Sequence, residues 1–408
     1  MLKLKKVKPD KLLEVFTGSD ALVSAAVVVM GFLAATLIIM AIGRNPAGMY
    51  EAILQVVTGI SRSRSNVWGW NPRYTGEWLV ASIPLILCGL SMGFAARTGL
   101  FNIGAEGQCI AGLTAAQFIG FFFPSIPVLH WIAAVTGGIA AGAVWGGIVG
   151  FFKARFKVSE VVATIMMNYI ALYFHRIFTL RIPGSNTYKT PDFPATSTLA
   201  SPLLASLTNG SRLNYSLWLT LAAIVVYWLI MEKTRLGYSL RATGLNRDAA
   251  LYGGINVKFS ITAAMAIAGA FAGLAGASVS LGVFSYGRIL AGMEGYGFDG
   301  IAVALVGNST AWGTALAGLL FGMLKSAQSL MQNRQIPKEI TAIIMGLVVV
   351  FISLRAGVRL LIDWQMKESI RHKTSDTFTI SDIKTSLIAR QEALKRRLSP
   401  KARRPRSE

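Results

Sequence analysis

This sequence is short of charge. Only 14% of its 408 residues are Asp, Glu, Lys or Arg, against about 25% in soluble domains. So few charges cannot clothe a water-facing surface, which excludes the two or three soluble domains that length alone would suggest. Cysteine is rarer still. Cys88 and Cys109 both fall inside apolar runs, so neither a disulfide framework nor a cysteine metal site has the residues it needs. His130, His175 and His372 are scattered without companion ligands. No Gly-x-x-x-x-Gly-Lys-Ser/Thr run is present, which excludes a phosphate-cradling loop of that type. No nucleophile stands beside a base at a recognisable spacing. These absences point away from an enzyme and imply no cofactor and no metal.

Acids are also few, 19 against 40 Lys and Arg, leaving a net charge of +21. Nucleic-acid binding is one reading of such an excess, but its placement argues otherwise. It lies in the N-terminal run Lys3, Lys5, Lys6, Lys8 and Lys11, in short joints between apolar runs, and in the tail beyond Arg359. Cytoplasmic segments of membrane proteins carry this bias, and basic stretches beside lipid attract anionic headgroups. The tail's basic cluster has no interleaved aromatics on which a nucleic-acid strand would stack. Membrane lipids are therefore expected partners, and nucleic acid is not.

Hydrophobicity is what the chain has in plenty: 53% of residues, with a mean hydropathy of +0.53. A bilayer core takes about 20 apolar residues per helix. Ten stretches are candidates: 21–42, 78–96, 101–123, 128–152, 161–178, 215–231, 259–284, 295–306, 311–331 and 340–354. The first is too long for a signal-peptide core and has no clear cleavage site, so it reads as an uncleaved span. A basic N-terminus over 1–20, a membrane body over 21–361 and a basic tail over 362–408 follow. An even count returns both termini to one side. Basic joints place that side in the cytoplasm: Arg97; Lys153, Arg155 and Lys157; then Lys233, Arg235, Arg241, Arg247 and Lys258. Arg44, Arg62, Arg64 and Arg73 fall in an outer loop, and the other joints outvote them.

Two outer loops are long. Residues 43–77 contain an amphipathic piece around 49–60, and residues 181–214 are rich in Pro, Ser and Thr. They serve either as plain connections or as a landing surface for an extracytoplasmic partner. In the tail, residues 381–398 have the pattern of a helix lying on the inner membrane surface.

Polar residues inside apolar runs carry the functional signal. The third stretch opens Phe101-Asn102-Ile103-Gly104-Ala105-Glu106-Gly107-Gln108. An unpaired polar group at membrane depth costs a few kcal/mol or more, so this segment should face protein or a wet cavity. The eighth stretch has a similar opening, Glu294-Gly295-Tyr296-Gly297-Phe298-Asp299-Gly300, with Asn308 after it. Five spans separate the two, so they run in opposite directions. Two inverted halves with a path at their interface have this pattern. The expected fold is thus all-α, a polytopic membrane protein of about ten transmembrane helices in two inverted five-helix halves. Small residues at Gly138/Gly142 and Gly269/Gly273 suit close helix packing. Lys325 reads as a side chain reaching a membrane interface.

The joint over 232–258 differs from the rest. It reads Thr243-Gly244-Leu245-Asn246-Arg247-Asp248-Ala249-Ala250-Leu251-Tyr252-Gly253-Gly254-Ile255. Asn246 can cap a short helix, Asp248 then lies in its first turn, and Gly253 or Gly254 can end it. A short capped helix in a cytoplasmic joint can enter a groove on a soluble partner. A plain surface turn explains the glycines but not the capped, charged sequence between them. An ion-coupled carrier usually places several ionisable groups in its spans. Here they are sparse, which favours an external engine.

Residues 96–108, 244–255 and 296–308, in that order, resemble the permease subunits of ABC importers for nucleosides, within the wider group serving ribose-type sugars and branched-chain amino acids. The resemblance covers about residues 78–356. It implies a nucleoside permease in the cytoplasmic (inner) membrane, with sugars or branched-chain amino acids as the alternative cargo. It implies a cytoplasmic ABC ATPase subunit, a second, paralogous permease subunit and an extracytoplasmic substrate-binding lipoprotein. Phe101, Asn102, Glu106, Gln108, Phe298, Asp299 and Asn308 would line or shape the path. Arg241, Gly244, Asn246, Arg247, Asp248, Ala249, Ala250, Gly253 and Gly254 would engage the ATPase.

Overall fold

Each of the ten apolar stretches holds a helix in the computed structural model, which describes residues 20–62, 68–351, 388–389 and 391–392. The N-terminal basic run, Arg64 and nearly all of the tail, including most of 381–398, lie outside the described residues. Ser24–Ile352 forms one unit; the other, Met1–Val23 with Ser353–Glu408, has few described residues.

In chain order, α1 is Asp20–Ala41 and α2 Ala47–Thr58. Strands β1 (Ile60–Arg62) and β2 (Trp68–Trp70) pair as an antiparallel hairpin. Then come α3 (Arg73–Ala96), α4 (Ala105–Phe122), α5 (Leu129–Phe156), α6 (Glu160–Thr179), β3 (Lys189–Asp192), α7 (Pro202–Leu207) and α8 (Ser216–Trp228). α8 runs on through a π turn, Leu229–Lys233. α9 (Arg235–Leu245), α10 (Arg247–Tyr252), α11 (Val257–Val283), β4 (Tyr286–Arg288), α12 (Tyr296–Val306), α13 (Ala311–Asn333) and α14 (Glu339–Phe351) complete it.

Among the described residues, α3, α5, α6, α8 with its π turn, and α11 are each long and apolar enough to cross a membrane; α12 and α14 are shorter apolar helices. Burial sorts the five. Protein covers 83% of the apolar window of α3 and 72% of that of α11, against 33%, 28% and 33% for α5, α6 and α8. So α3 and α11 form the interior, while α6 turns Val162, Met166, Tyr169, Tyr173 and Ile177 outward. Such a face is stable only in lipid or against another apolar surface.

The small-residue stripes do meet. A Cβ on Gly142 of α5 would lie 2.3 Å from the Gly269 carbonyl oxygen of α11, and one on Gly269 would lie 2.1 Å from that of Gly142. Backbones in contact at this distance exclude any side chain. Phe94, Tyr227 and Phe271 pack as a ring cluster with centroids 5.3–5.9 Å apart, joining α3, α8 and α11.

Several boundaries differ from the sequence reading. α3 starts at Arg73, five residues before 78, and α4 starts at Ala105 instead of 101. The amphipathic piece ends at Thr58, where Gly59 turns left-handed at φ +72°. The joint over 232–258 holds two helices instead of one, because Thr234 caps a first helix by accepting the Gly237 N–H at 3.0 Å. The loop over 181–214 is not free: β3 pairs antiparallel with β4 just ahead of α12. Arg212 in that loop grips Glu77 through Nη2 at 2.7 Å, and this carboxylate raises the guanidinium pKa above its ordinary value.

Candidate translocation site and coupling segment

α3 ends near Arg97, and a turn closes with Gly99 at φ +70°. The chain then climbs back along α3. Asn102 donates through Nδ2 to Ser91 Oγ at 3.1 Å. Ser91 lies six residues before Arg97, about 9 Å along a helix, so residues 101–104 are irregular backbone returned to the depth of the bundle. Such backbone is tolerated within a membrane only where protein or a wet cavity surrounds it. Asn102 and Gln108 exchange two amide hydrogen bonds, at 2.9 and 3.0 Å, and both are buried. Asn168 of α6 secures the same turn, accepting the Gly107 N–H at 2.8 Å and donating to the Ile103 carbonyl at 3.1 Å. Phe101 is exposed.

Glu106 stands in the first turn of α4, and its carboxylate crosses to α12. Oε1 accepts the Gly295 N–H at 2.8 Å and Oε2 the Gly297 N–H at 2.6 Å. α12 has no side-chain cap of its own, since Gly295 occupies the N-cap position at φ +84°. Glu106 supplies the cap from another helix, near the positive ends of two helix dipoles. The approach requires glycine: a Cβ on Gly297 would lie 2.2 Å from the Glu106 nitrogen. Two helices thus begin inside the bundle, their N-termini facing across one carboxylate, a geometry that transporters use at solute sites.

Beside this junction is a cavity of 540 Å³ whose lining includes Ala81, Arg288, Glu294, Tyr296 and Lys325. Arg288 pairs with Glu294 and covers the Phe284 ring at 4.5 Å. Lys325 Nζ lies 2.5 Å from Asp299 Oδ2 and 5.1 Å from the Tyr296 ring centre. Lys325 is thus held by a carboxylate on the neighbouring helix, a partner that the sequence had not offered. Both cations of this wall are ion-paired, Arg288 with Glu294 of the lining and Lys325 with Asp299 outside the lining. His175 of α6 secures the wall's backbone, with Nε2 3.1 Å from the Arg288 carbonyl oxygen and 3.2 Å from the Leu290 nitrogen.

The structure thus joins Glu106 to the start of α12, where Phe298 is exposed and Asp299 ion-paired, while Asn102 and Gln108 bond to each other and to Ser91 of α3. Asn308 lies beyond the opposite end of α12, about 16 Å away along an eleven-residue helix. Sequence reasoning missed Ser91, Asn168, His175, Arg288, Glu294, Tyr296 and Glu232. A lone amide or imidazole mid-span, as at Asn168 and His175, was the available signal for two of them.

The α9–α10 hairpin is capped as its sequence suggests. Asn246 Oδ1 accepts the Asp248 and Ala249 N–H groups at 3.0 Å each. α10 ends as the Gly253, Gly254 and Ile255 N–H groups bond back to Ala249, Leu251 and Ala250, with Gly254 at φ +79°. Asp248 and Ala249 face solvent while Ala250 is buried. Leu245 is 89% and Tyr252 93% exposed, a strongly apolar pair for a solvent-facing tip. Gly244 meets the Arg97 backbone, and Arg241 turns to Glu232. No group of three His, Cys, Asp or Glu that could hold a metal occurs among the described residues.

Residues 74–353 match the family described as branched-chain amino acid transport system / permease component. The guanosine ABC transporter permease protein NupP of Bacillus subtilis is 39% identical over 342 residues, covering 84% of this chain and 95% of that protein. The nucleoside ABC transporter permease protein NupB of Lactococcus lactis is 36% identical, with coverages of 82% and 91%. The glucose ABC transporter permease protein TsgB13 of Haloferax volcanii is 31% identical, with coverages of 68% and 75%.

Proposed function

The chain belongs to the branched-chain amino acid transport system / permease component family, and from that premise we propose that it is the membrane-spanning subunit of an ABC importer for nucleosides. The observation that carries the cargo is the ion pairing of both cations at the wall of the cavity. Arg288 and Lys325 are already neutralised by Glu294 and Asp299. An anionic solute would have to break those pairs, whereas an uncharged solute rich in donors and acceptors can bind beside them. Nucleosides fit that description, and the two relatives with the greatest identity above are permeases for them. A simple sugar is the second reading, favoured by the likeness to the glucose permease.

In this proposal ten helices cross the cytoplasmic membrane in two inverted halves, with both termini in the cytoplasm. Residues 1–20 and 362–408 flank a permease body over 21–361. Phe101, Asn102, Glu106, Gln108, Phe298, Asp299 and Asn308 shape the path. The segment from Arg241 to Gly254 receives a separate ATPase. A second, paralogous permease completes the membrane part, and a substrate-binding lipoprotein delivers solute from outside. The chain itself catalyses no reaction.

Reconstitution of the complete complex in liposomes tests this. ATP-dependent uptake of labelled guanosine should be blocked by excess adenosine and unaffected by ribose, leucine or guanosine monophosphate. Uptake that needs no ATPase and stops when an ion gradient is collapsed would refute it.

A further inference from the structure

We propose that Glu232 is a positioning residue through which the exposed α9–α10 hairpin moves the joint between α3 and α4; this rests on the importer reading above. Glu232 sits in the π turn Leu229–Lys233 that ends α8. Such turns are rare and concentrate at functional sites. Here the carboxylate bridges two guanidiniums. Oε1 accepts from Arg97 Nη2 at 2.6 Å, and Oε2 accepts from Arg241 Nη1. Arg97 ends α3 and Arg241 lies on α9, so one side chain ties three elements together.

Backbone contact reinforces the tie. A Cβ on Gly244 would lie 2.4 Å from the Arg97 carbonyl oxygen, and one on Gly99 would lie 3.1 Å from that of Gly244. Arg247 Nη2 donates to the Gly99 carbonyl at 3.3 Å. The hairpin therefore cannot shift relative to residues 97–99 without parting touching backbones and charge-assisted bonds. From Gly99 the chain runs three residues to Asn102 and seven to Glu106, the carboxylate that caps α12. A displacement at Leu245 or Tyr252 thus has a short, stiff route to the facing helix ends. The pairs themselves are about one-third exposed, and exposed ion pairs add little stability. Glu232 serves geometry: it keeps the hairpin and the joint moving as one body.

The test is the number of nucleosides moved per ATP hydrolysed, in the full complex of both permeases, ATPase and lipoprotein. Glu232→Gln should leave the ATPase co-purifying and hydrolysing ATP while the transport ratio falls at least fivefold. Arg97→Gln should do the same, and the double variant should fall no further, because both changes cut one link. Glu232→Asp should recover part of the ratio. Should Glu232→Gln fail to reach the membrane, Arg97→Gln cuts the same bond from the other side and decides. An unchanged ratio, or losses that add in the double variant, would overturn the proposal. A wild-type complex that moves no nucleoside would instead overturn the importer reading.

Discussion

Replacing Glu106 with Ala removes two acceptors at once. The buried Gly297 N–H and the part-buried Gly295 N–H, bonded at 2.6 and 2.8 Å, would then lose their acceptor. A fully buried orphaned donor costs about 1–3 kcal/mol, so the α12 N-terminus loses at most about 6 kcal/mol of restraint. Loss of the anion at the helix dipole adds about 0.3–1 kcal/mol. Glu106→Gln is the informative companion. Its one carbonyl oxygen can serve either N–H, but its amide nitrogen meets the other as donor against donor. It should therefore lose about half as much, at most about 3 kcal/mol. The assay is paired: thermal unfolding in detergent, and ATP-driven guanosine uptake in liposomes. We expect the order wild type, Gln, Ala in both, with Ala losing most uptake while the ATPase still co-purifies. Wild-type unfolding and uptake in the Ala variant would refute the reasoning, since α12 would then need no cap from α4.

Three further outcomes follow from the same geometry. Gly297→Ala places a Cβ 2.2 Å from the Glu106 backbone nitrogen; backbone cannot swing aside, so about 1–3 kcal/mol of strain should lower the unfolding temperature and uptake together. Lys325→Met leaves the Asp299 carboxylate, now 2.5 Å from its partner, unpaired, and should depress uptake more than the double change Lys325→Met with Asp299→Asn; equal losses would show the pair to be incidental. Gly254→Val forces a branched side chain to φ +79°, which β-branched residues strongly resist, and with Gly253→Val it should weaken ATPase co-purification while sparing membrane insertion.

The helices were legible because hydropathy is a local property. Each of the ten stretches holds a helix among the described residues, and the cap at Asn246 follows from neighbouring residues, whereas spacing marked Gly142 and Gly269 as packing positions without pairing them. The site was only half legible. Glu106 stood out as an acid at membrane depth, but its partners Gly295 and Gly297 lie about 190 residues away. Asn168 is 61 residues from Gly107. Lys325 looked solitary because Asp299 sits on the preceding helix, too far along the chain to read as a pair.

The amino-acid order alone settled that this chain is helical and built for lipid, and it marked where polar groups depart from that solvent. Burying apolar length is decided residue by residue, and each stretch can satisfy its backbone within itself. Only the tertiary structure decided what those polar groups are for. Glu106 became a cap, Glu232 a bridge and Lys325 a counter-ion when separate helices came together, because hydrogen bonds and ion pairs form between atoms about 3 Å apart in space, a distance on which order along the chain has no bearing.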